Sequence, residues 1–200
     1  LFLLALGVNL WQIRDVSVPL WKDSPVHAEF INQVLSTGRL PTGQFYHFGF
    51  HLLAALLTII SGASIPQVML VLGQVLLTLT GLTTWLLVRR LTGNSVAALT
   101  SAVCVWFLSP TPAYFVTWGR YPLILGGALL PFALFFAIEF TERSRWNTQL
   151  FLIALATCLG MAFAHVRLVA FYLVFVALYL IYFSWRERAR KNILPTVFRV

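Results

Sequence analysis

Seven apolar runs divide this chain, and their lengths limit what it can fold into. The runs cover residues 1–11, 47–62, 65–88, 95–117, 121–140, 148–165 and 167–184. A helix needs about 20 apolar residues to cross a bilayer, with a range of about 17–25, so the last five runs are long enough to span. We therefore predict an all-α fold, a polytopic transmembrane helix bundle whose main solvent is lipid.

The composition favours a membrane protein over a soluble domain. Hydrophobic residues make up 60% of the chain and charged residues 10%, whereas soluble domains carry about 25% charged residues. The net charge of +8 does not indicate nucleic acid, because the basic residues cluster beside apolar runs and form no stripe interleaved with aromatic residues. Cys104 and Cys158 lie far apart inside apolar runs, which predicts small buried residues rather than a disulfide or a metal site.

Three basic clusters set the expected orientation of the spans. The clusters are Arg89 with Arg90, Arg143 with Arg145, and the stretch 186–191. An even number of spans separates the clusters, so all three fall on one side, which the positive-inside rule makes cytoplasmic. Three acidic residues lie beside these arginines and are expected to be solvated or paired with them: Glu139, Glu142 and Glu187.

The domain organisation follows from this orientation. We expect one transmembrane domain over residues 1–200, with spans near 1–11, 65–88, 95–117, 121–140, 148–165 and 167–184. Run 47–62 is short and begins with two histidines. If it lies on the membrane surface, residues 12–64 form one long extracytoplasmic loop; if it crosses, 12–46 becomes cytoplasmic. Its length and its polar start favour the surface position. Because the chain opens inside an apolar run, we expect it to be part of a longer protein.

The loop carries the sequence pattern of an amphipathic helix. Ser24 and Pro25 match an N-cap followed by proline at the first helical position, and Gly38 matches a C-cap. Apolar residues recur between them at helical spacing: Val26, Phe30, Ile31, Val34 and Leu35. The polar residues fall largely on the other face: His27, Glu29, Asn32 and Gln33. We predict a helix that lies in the membrane interface.

The ionisable residues of the predicted outer face are the first candidates for function. They are His27, His47, His51, His165, Asp15, Asp23 and Glu29. Charges near apolar helices cost free energy unless they are paired or solvated, so this set indicates either a catalytic or ligand-binding cavity or interfacial residues exposed to water. Asp23 could accept a proton from a hydroxyl nucleophile, or could simply stabilise a helix start. His47 and His51 are four residues apart and share a face on a helix, so with Asp23, His27 or Glu29 they could bind a divalent metal.

A second candidate segment joins two predicted spans on the outer face. Arg120 can clamp an anion, because its guanidinium matches phosphate geometry, and Gly119 would let the backbone approach another element closely. Trp118 and Tyr121 suit an aromatic belt. Arg167 is a further outer-face cation, and with Arg120 it could hold a lipid phosphate; the alternative is that both arginines snorkel to lipid headgroups.

The order of these motifs resembles the N-terminal half of a GT-C fold membrane glycosyltransferase. That superfamily includes protein mannosyltransferases, aminoarabinose transferases and catalytic subunits of oligosaccharyltransferase. The resemblance is carried by a first span followed by five short motifs: Asp-Ser-Pro-Val-His at 23–27, Gly-Arg-Leu-Pro at 38–41, an aromatic and histidine stretch at 46–51, Leu-Val-Arg-Arg-Leu at 87–91 and Trp-Gly-Arg-Tyr-Pro at 118–122.

The resemblance implies a function and a set of site residues. It implies transfer of a sugar from a polyprenyl-phosphate donor to an acceptor that the sequence does not identify, at the extracytoplasmic face of a prokaryotic plasma membrane. The catalytic role falls by position on Asp23, with Asp15 as second choice. The substrate-binding candidates are His27, Glu29, His47, His51, Arg120, Tyr121, His165 and Arg167. Many members have two adjacent acids where this chain has Asp23 and Ser24, so no cofactor is assigned and a divalent metal stays open.

Two other functions fit parts of the sequence. A lipid or polysaccharide transporter or flippase would use discontinuous helices. Such breaks are compatible with Gly73 and Gly81 in one run, and with Gly126, Gly127 and Pro131 in another. The span interiors hold almost no charged residues, whereas ion-coupled transport usually needs some. A catalytically inactive scaffold of the same fold is the third interpretation.

Overall fold

The computed structural model describes residues 1–41, 46–143 and 146–197 of the chain. Every regular element in these ranges is helical, as expected. The helices are α1 (Phe2–Gln12), α2 (Asp23–Thr37), α3 (Gly49–Ser61), α4 (Ile65–Thr92), α5 (Ser95–Val103), α6 (Pro110–Thr117), α7 (Tyr121–Glu142), α8 (Thr148–Ala164) and α9 (Val166–Val197), with a π-helical turn at Cys104–Leu108 after α5. Arg145 lies outside the described residues.

Three segments in the described part of the chain are long and apolar enough to cross a membrane. They are α4, α7 and residues Val166–Arg188 of α9. The other apolar helices are shorter: α1, α3, α8 and the segment Ser95–Leu108. By length and composition the protein therefore has the helices of a membrane protein.

The exposure of α9 supports the same conclusion. It packs on α7 and α8, yet Phe171, Leu178 and Ile181 are 65%, 63% and 67% exposed. Contiguous apolar surface on this scale is not stable against water and marks a face that another apolar phase covers. A bilayer would supply such a phase along the apolar part of the helix, Val166–Arg188.

The predicted run 95–117 is not one continuous helix. The π-helical turn ends at Ser109, whose backbone is extended (φ −79°, ψ 127°), and Pro110 opens α6. The physical reason is that proline disfavours helical geometry in the residue before it and cannot donate to the preceding turn. The segment is a long helix followed by a short one, and α6 packs on α4 and α7.

Helix α4 is the central element, because it contacts α1, α3, α5, α6 and α7. Gly73 and Gly81 lie where a side chain would collide with the rings of Tyr121 and Trp106. The Trp106 ring nitrogen donates to the Thr78 carbonyl at 2.8 Å. The amide of Asn9 in α1 donates to the Thr78 hydroxyl at 2.9 Å. These buried polar contacts fix how α1 and the π-helical turn sit on α4.

Opposite ends of the bundle carry different chemistry. Gly73 faces Tyr121 near the start of α4 and α7, and Arg90 pairs with Glu139 and Glu142 near their ends, so the two helices run in the same direction. Glu142 also accepts from the Tyr179 hydroxyl at 2.6 Å and from Arg186 at 3.2 Å. The expected pairing of Glu139 and Glu142 with arginine is therefore confirmed. We call this end, defined by Arg90 and Arg186, the arginine end.

The predicted amphipathic helix forms, but it begins earlier than the sequence pattern indicates. Helix α2 starts at Asp23 with Lys22 as its N-cap, and the Ser24 hydroxyl donates to the Leu20 carbonyl instead of capping the helix. Gly38 ends the helix in the left-handed conformation (φ 64°), as predicted. The assignment of faces was wrong at two positions, because His27 is buried and Val26 is exposed. A buried partner for His27 explains this inversion.

Gly49 gives a direct test of how the start of α3 packs on α8. A Cβ there would lie 2.9 Å from the Phe163 carbonyl oxygen, a backbone atom of α8. Gly49→Ala should therefore destabilise the fold by about 1–3 kcal/mol, the usual cost of overpacking. Gly7→Ala is the matched control, because nothing lies within 4 Å of the added carbon, and it should be neutral or slightly stabilising. Thermal unfolding in detergent compares the two variants; equal melting temperatures would contradict the packing.

Candidate functional site

A polar cavity of about 280 Å³ lies at the end of the bundle opposite the arginine end. We call this end of the bundle the histidine end, after His27, His47, His51 and His165. Helices α2 and α7, the segment before α3 and the junction between α8 and α9 all contribute to the cavity. Its polar lining consists of Asp23, His27, Tyr46, Arg120 and His165. Residues far apart in the sequence therefore meet at one concave site.

The ion pair between Asp23 and Arg120 is the main electrostatic feature of this cavity. The Arg120 Nε atom lies 3.5 Å from a carboxylate oxygen of Asp23, and both side chains are partly exposed. The guanidinium also lies 4.6 Å from the centre of the Trp118 ring, a distance suited to a cation–π contact. Asp23 is the first residue of α2, where the helix dipole favours an ionised carboxylate. The site therefore presents a carboxylate and a guanidinium side by side.

Gly119 allows the two charged residues to meet. It has φ +68°, and a Cβ there would lie 2.7 Å from the Ser24 hydroxyl and 3.2 Å from the Ser24 nitrogen. The first turn of α2 therefore rests on the backbone of the segment that connects α6 to α7. The expected close backbone approach at Gly119 is confirmed, with α2 as the partner.

His27 and His51 form a buried pair behind the cavity. His27 Nδ1 lies 2.9 Å from His51 Nε2, and both rings are almost inaccessible to water. Burial lowers the pKa of His27 to about 4, although a hydrogen bond to the backbone of Gly119 and the charge of Asp23 raise it. Burial, followed by the neighbouring rings of His27 and His47, lowers the pKa of His51 to about 3. Both rings are therefore neutral near pH 7.

His47 and His165 meet separately. Their ring centres are 4.2 Å apart, and His47 also stacks on Tyr46 at 4.3 Å. The prediction that His47 and His51 share a helix face was wrong, because α3 begins at Gly49 and leaves His47 in the preceding segment. The two residues therefore have different histidine partners.

Arg167 completes a group of cations near the cavity. It is exposed, and its charge lowers the pKa of His47 after the larger effect of burial. Arg120 and Arg167 both act electrostatically on His165. Two guanidinium groups near one neutral imidazole form an environment that favours a bound anion.

The metal hypothesis finds no ligand set in the described part of the chain. There, no three side chains of the His, Cys, Asp and Glu types are grouped to hold an ion. The His27–His51 pair satisfies its facing nitrogens internally. The charged pair of the cavity is a carboxylate with a guanidinium, which competes with a cation for the carboxylate.

Like His47, His51 and Arg167, three further candidate residues do not line the polar cavity. Glu29 is exposed on α2 and does not line the cavity. Asp15 pairs with Arg14 at 3.1 Å, with its side chain 80% exposed. Tyr121 is buried, stacks on Phe50 at 5.1 Å and makes a hydrogen bond to the Ser24 side chain. Tyr121 therefore supports the first turn of α2 from the interior of the bundle.

Sequence reasoning did not select Tyr46 or Trp21. Tyr46 lines the cavity and contacts the rings of His27 and His51; its place directly before His47 was the available signal. Trp21 has φ +73°, a rare conformation for a residue with a side chain, and its ring meets Trp118 edge-on at 6.4 Å. No sequence pattern indicates that conformation.

An apolar cavity of about 420 Å³ has Tyr121 in its wall. It lies between α1, α4 and α6, and its walls include Leu70, Leu77 and Val116. Gln74 and Tyr121 supply polar atoms to its lining. Arg120 and Pro122, which flank Tyr121 in the sequence, line the polar cavity, so the start of α7 contributes to both cavities.

Comparison with known proteins places the chain in a family. A family model matches residues 21–198, so the chain belongs to that family, which is described as a family of unknown function (DUF6541). No curated protein and no solved structure matches the chain. The match includes α2, the segment before α3 and the Trp118–Arg120 segment, so all residues of the polar cavity belong to the family region.

A side chain at position 119 would have two effects that can be measured separately: a collision with α2 and the strain of a left-handed backbone conformation. Gly119→Ala should destabilise the protein through both effects. Gly38→Ala is the control, because Gly38 has a similar φ of +64° but nothing within 4 Å of the added carbon, so it should cost only about 1 kcal/mol. A melting temperature clearly lower for Gly119→Ala than for Gly38→Ala would confirm the contact with α2, and equal values would contradict it.

The neutral histidine pair predicts how stability depends on pH. Folding lowers the pKa of His27 from 6.5 to about 4 and the pKa of His51 from 6.5 to about 3. Above pH 6.5 both rings are neutral in the folded and the unfolded chain, so the contribution of the pair to stability is fully present. It declines as the unfolded chain takes up protons below that pH, and it is lost as the folded values are passed. The melting temperature should therefore fall between pH 7.5 and pH 5. The double variant His27→Gln with His51→Gln should show a smaller fall; an unchanged slope would contradict this account.

Proposed function

We propose that this protein is a membrane glycosyltransferase of the GT-C type, which moves a sugar from a polyprenyl-phosphate donor to an acceptor. The observation that carries the proposal is the pairing of Asp23 with Arg120 inside a polar cavity at one end of the bundle. A carboxylate supplies a base, and a guanidinium supplies a phosphate site, so this pair has both groups that the reaction requires.

The proposed topology places this cavity outside the cytoplasm. Six spans are proposed near residues 1–11, 65–88, 95–117, 121–140, 148–165 and 167–184, with α2 and α3 on the membrane surface. Arg90 and Arg186 then lie on the cytoplasmic side, in agreement with the positive-inside rule. The histidine end faces the outer leaflet of a prokaryotic plasma membrane, from which a lipid-linked sugar can enter.

The proposed reaction uses the ion pair as a switch for the base. The donor phosphate binds Arg120, with Arg167 as a second cation, and this contact weakens the hold of Arg120 on Asp23. Asp23 then accepts the proton of an acceptor hydroxyl, whose oxygen forms a bond to the anomeric carbon of the sugar. The bond between that carbon and the phosphate oxygen breaks, and polyprenyl phosphate leaves with its charge stabilised by the arginines.

The apolar cavity supports a lipid-linked donor over a water-soluble one. It holds about 420 Å³, and Tyr121 in its wall is flanked in the sequence by Arg120 and Pro122 of the polar cavity. A ligand with a phosphate head and a hydrocarbon tail would place the head in the polar cavity and the tail in the apolar cavity, because a charge buried in an apolar site costs free energy.

A transporter or flippase is the second candidate, and one observation favours it. The break at Ser109 divides a membrane-length segment into α5 with its π-helical turn and the short helix α6. Discontinuous helices are common at the substrate sites of transporters. Helix α7 supplies no second break, because it continues through Pro131. An inactive scaffold that binds the same lipid is the third candidate.

A transfer assay with Asp23 variants tests the proposed function. The protein in membranes is supplied with a panel of radiolabelled polyprenyl-phosphate sugars, and sugar transfer or release is measured. Asp23→Asn should lower turnover by about 10²-fold or more, the usual effect of losing a general base. Asp15→Asn is the matched control, because Asp15 pairs with Arg14 outside the cavity, and it should retain activity.

Each outcome of that assay has a distinct meaning. Loss in Asp23→Asn alone supports the proposal. Equal turnover in Asp23→Asn and the wild type would move the base elsewhere and overturn its assignment. No turnover with any donor would favour the transporter or scaffold. Arg120→Lys keeps the charge and loses the two-pronged geometry, so it should weaken donor use more than Arg89→Lys does.

A further inference from the structure

His51 lies too deep to contact a substrate. Its ring is fully buried and does not line the polar cavity. The rings of Phe30, Phe50 and Tyr46 surround it. The sequence-based role of His51 in substrate binding is therefore replaced here by a role that acts through its neighbours.

The hydrogen bonds determine which nitrogen of each ring carries a proton. The backbone of Gly119 raises the pKa of His27 as a hydrogen-bond acceptor does, and since Nδ1 faces His51, Nε2 is the nitrogen available to donate to the Gly119 carbonyl. A neutral His27 then has a bare Nδ1, which can only accept. His51 must therefore donate from Nε2, and its own Nδ1 is left bare.

The unpaired atom agrees with this assignment. In the described part of the chain, His51 Nδ1 is buried and has no hydrogen-bond partner. A bare ring nitrogen among aromatic side chains is a weaker liability than an unpaired donor on a charged ring. Unsatisfied buried polar atoms are rare in proteins, and one that persists needs a reason beyond packing.

The chain of hydrogen bonds ends beside the ion pair. Gly119 precedes Arg120, whose Nε lies 3.5 Å from the Asp23 carboxylate. Gly119 has φ +68°, a backbone conformation that residues with a side chain rarely adopt. Rotating that peptide would change the direction in which Arg120 leaves the backbone.

We propose that His51 is a positioning residue: through His27 and the Gly119 carbonyl, it fixes the direction in which Arg120 points at the anion site. The relay runs from His51 Nε2–H to His27 Nδ1, and from His27 Nε2–H to Gly119. It requires both rings to be neutral, because a proton on His27 Nδ1 would oppose the proton on His51 Nε2. The inference deepens the proposed function by explaining how its phosphate site is held, and its test does not depend on sugar transfer.

Nitrogen NMR on protein labelled with ¹⁵N-histidine, in nanodiscs at pH 7.5, tests the relay directly. The wild type should show both rings in the Nε2–H tautomer, with a scalar coupling across the hydrogen bond from His51 Nε2 to His27 Nδ1. Single variants at His27 and His51 assign the signals. An Nδ1–H tautomer at His51, or the lack of a coupling, would overturn the proposal without bearing on whether the protein transfers sugar.

Two substitutions at His51 then separate positioning from packing. His51→Gln keeps an N–H donor at nearly the same reach, whereas His51→Leu fills the space without one. The readout is the Arg120 Nε–H resonance and its change on titration with dodecyl phosphate. We expect His51→Gln to resemble the wild type, and His51→Leu to shift the resonance and weaken dodecyl phosphate binding several-fold.

Phe48→Leu is the control for packing, since it alters a ring 5.6 Å from His51 that neither belongs to the relay nor lines the polar cavity. It should leave the Arg120 resonance unchanged. The proposal is overturned if Phe48→Leu and His51→Leu have the same effect, or if His51→Gln fails to preserve dodecyl phosphate binding. If His51→Leu does not fold, the wild-type tautomers and the His51→Gln variant still decide the question.

Discussion

The contact between the first turn of α2 and the backbone of Gly119 sets the geometry of the whole site. Helix α2 has one face toward the bundle, and only the missing side chain of Gly119 lets Asp23 approach Arg120. Tyr121 supports the same turn through Ser24. If α2 sat a few ångströms further out, the carboxylate and the guanidinium would belong to separate surfaces, and the cavity between them would open to solvent.

The bundle beneath this contact is fixed by polar atoms placed in apolar surroundings. Thr78 ties α1 and the π-helical turn to α4, and Glu142 ties α4, α7 and α9 together at the arginine end. Lipid offers no hydrophobic drive for helices to associate, so small residues and buried polar contacts must specify how they pack. The histidine end therefore belongs to helices that are joined by ion pairs at their opposite ends.

Much of this arrangement could be predicted from the sequence, and the exceptions have physical causes. The lengths of the apolar runs locate α4, α7 and α9, because a helix that crosses a lipid core must be apolar over its whole spanning length. Motif position brings Asp23, Arg120 and His165 to one end of the bundle. The buried side of α2 could not be read, since His27 is polar and its burial depends on His51, which is distant in sequence. The break at Ser109 follows from Pro110, a local signal that hydrophobic periodicity does not report. The left-handed backbone of Trp21 has no sequence signal.

The central claim is that Asp23 and Arg120 receive the two reacting parts of a lipid-linked sugar. The most direct test is electron cryo-microscopy of the protein in nanodiscs with a polyprenyl phosphonate sugar, in which a carbon replaces the scissile oxygen. The account predicts the phosphonate within hydrogen-bond distance of Arg120, the anomeric carbon beside the Asp23 carboxylate, and the lipid tail against α4 and α6. A lipid bound elsewhere, with the Asp23–Arg120 pair still closed, would contradict it.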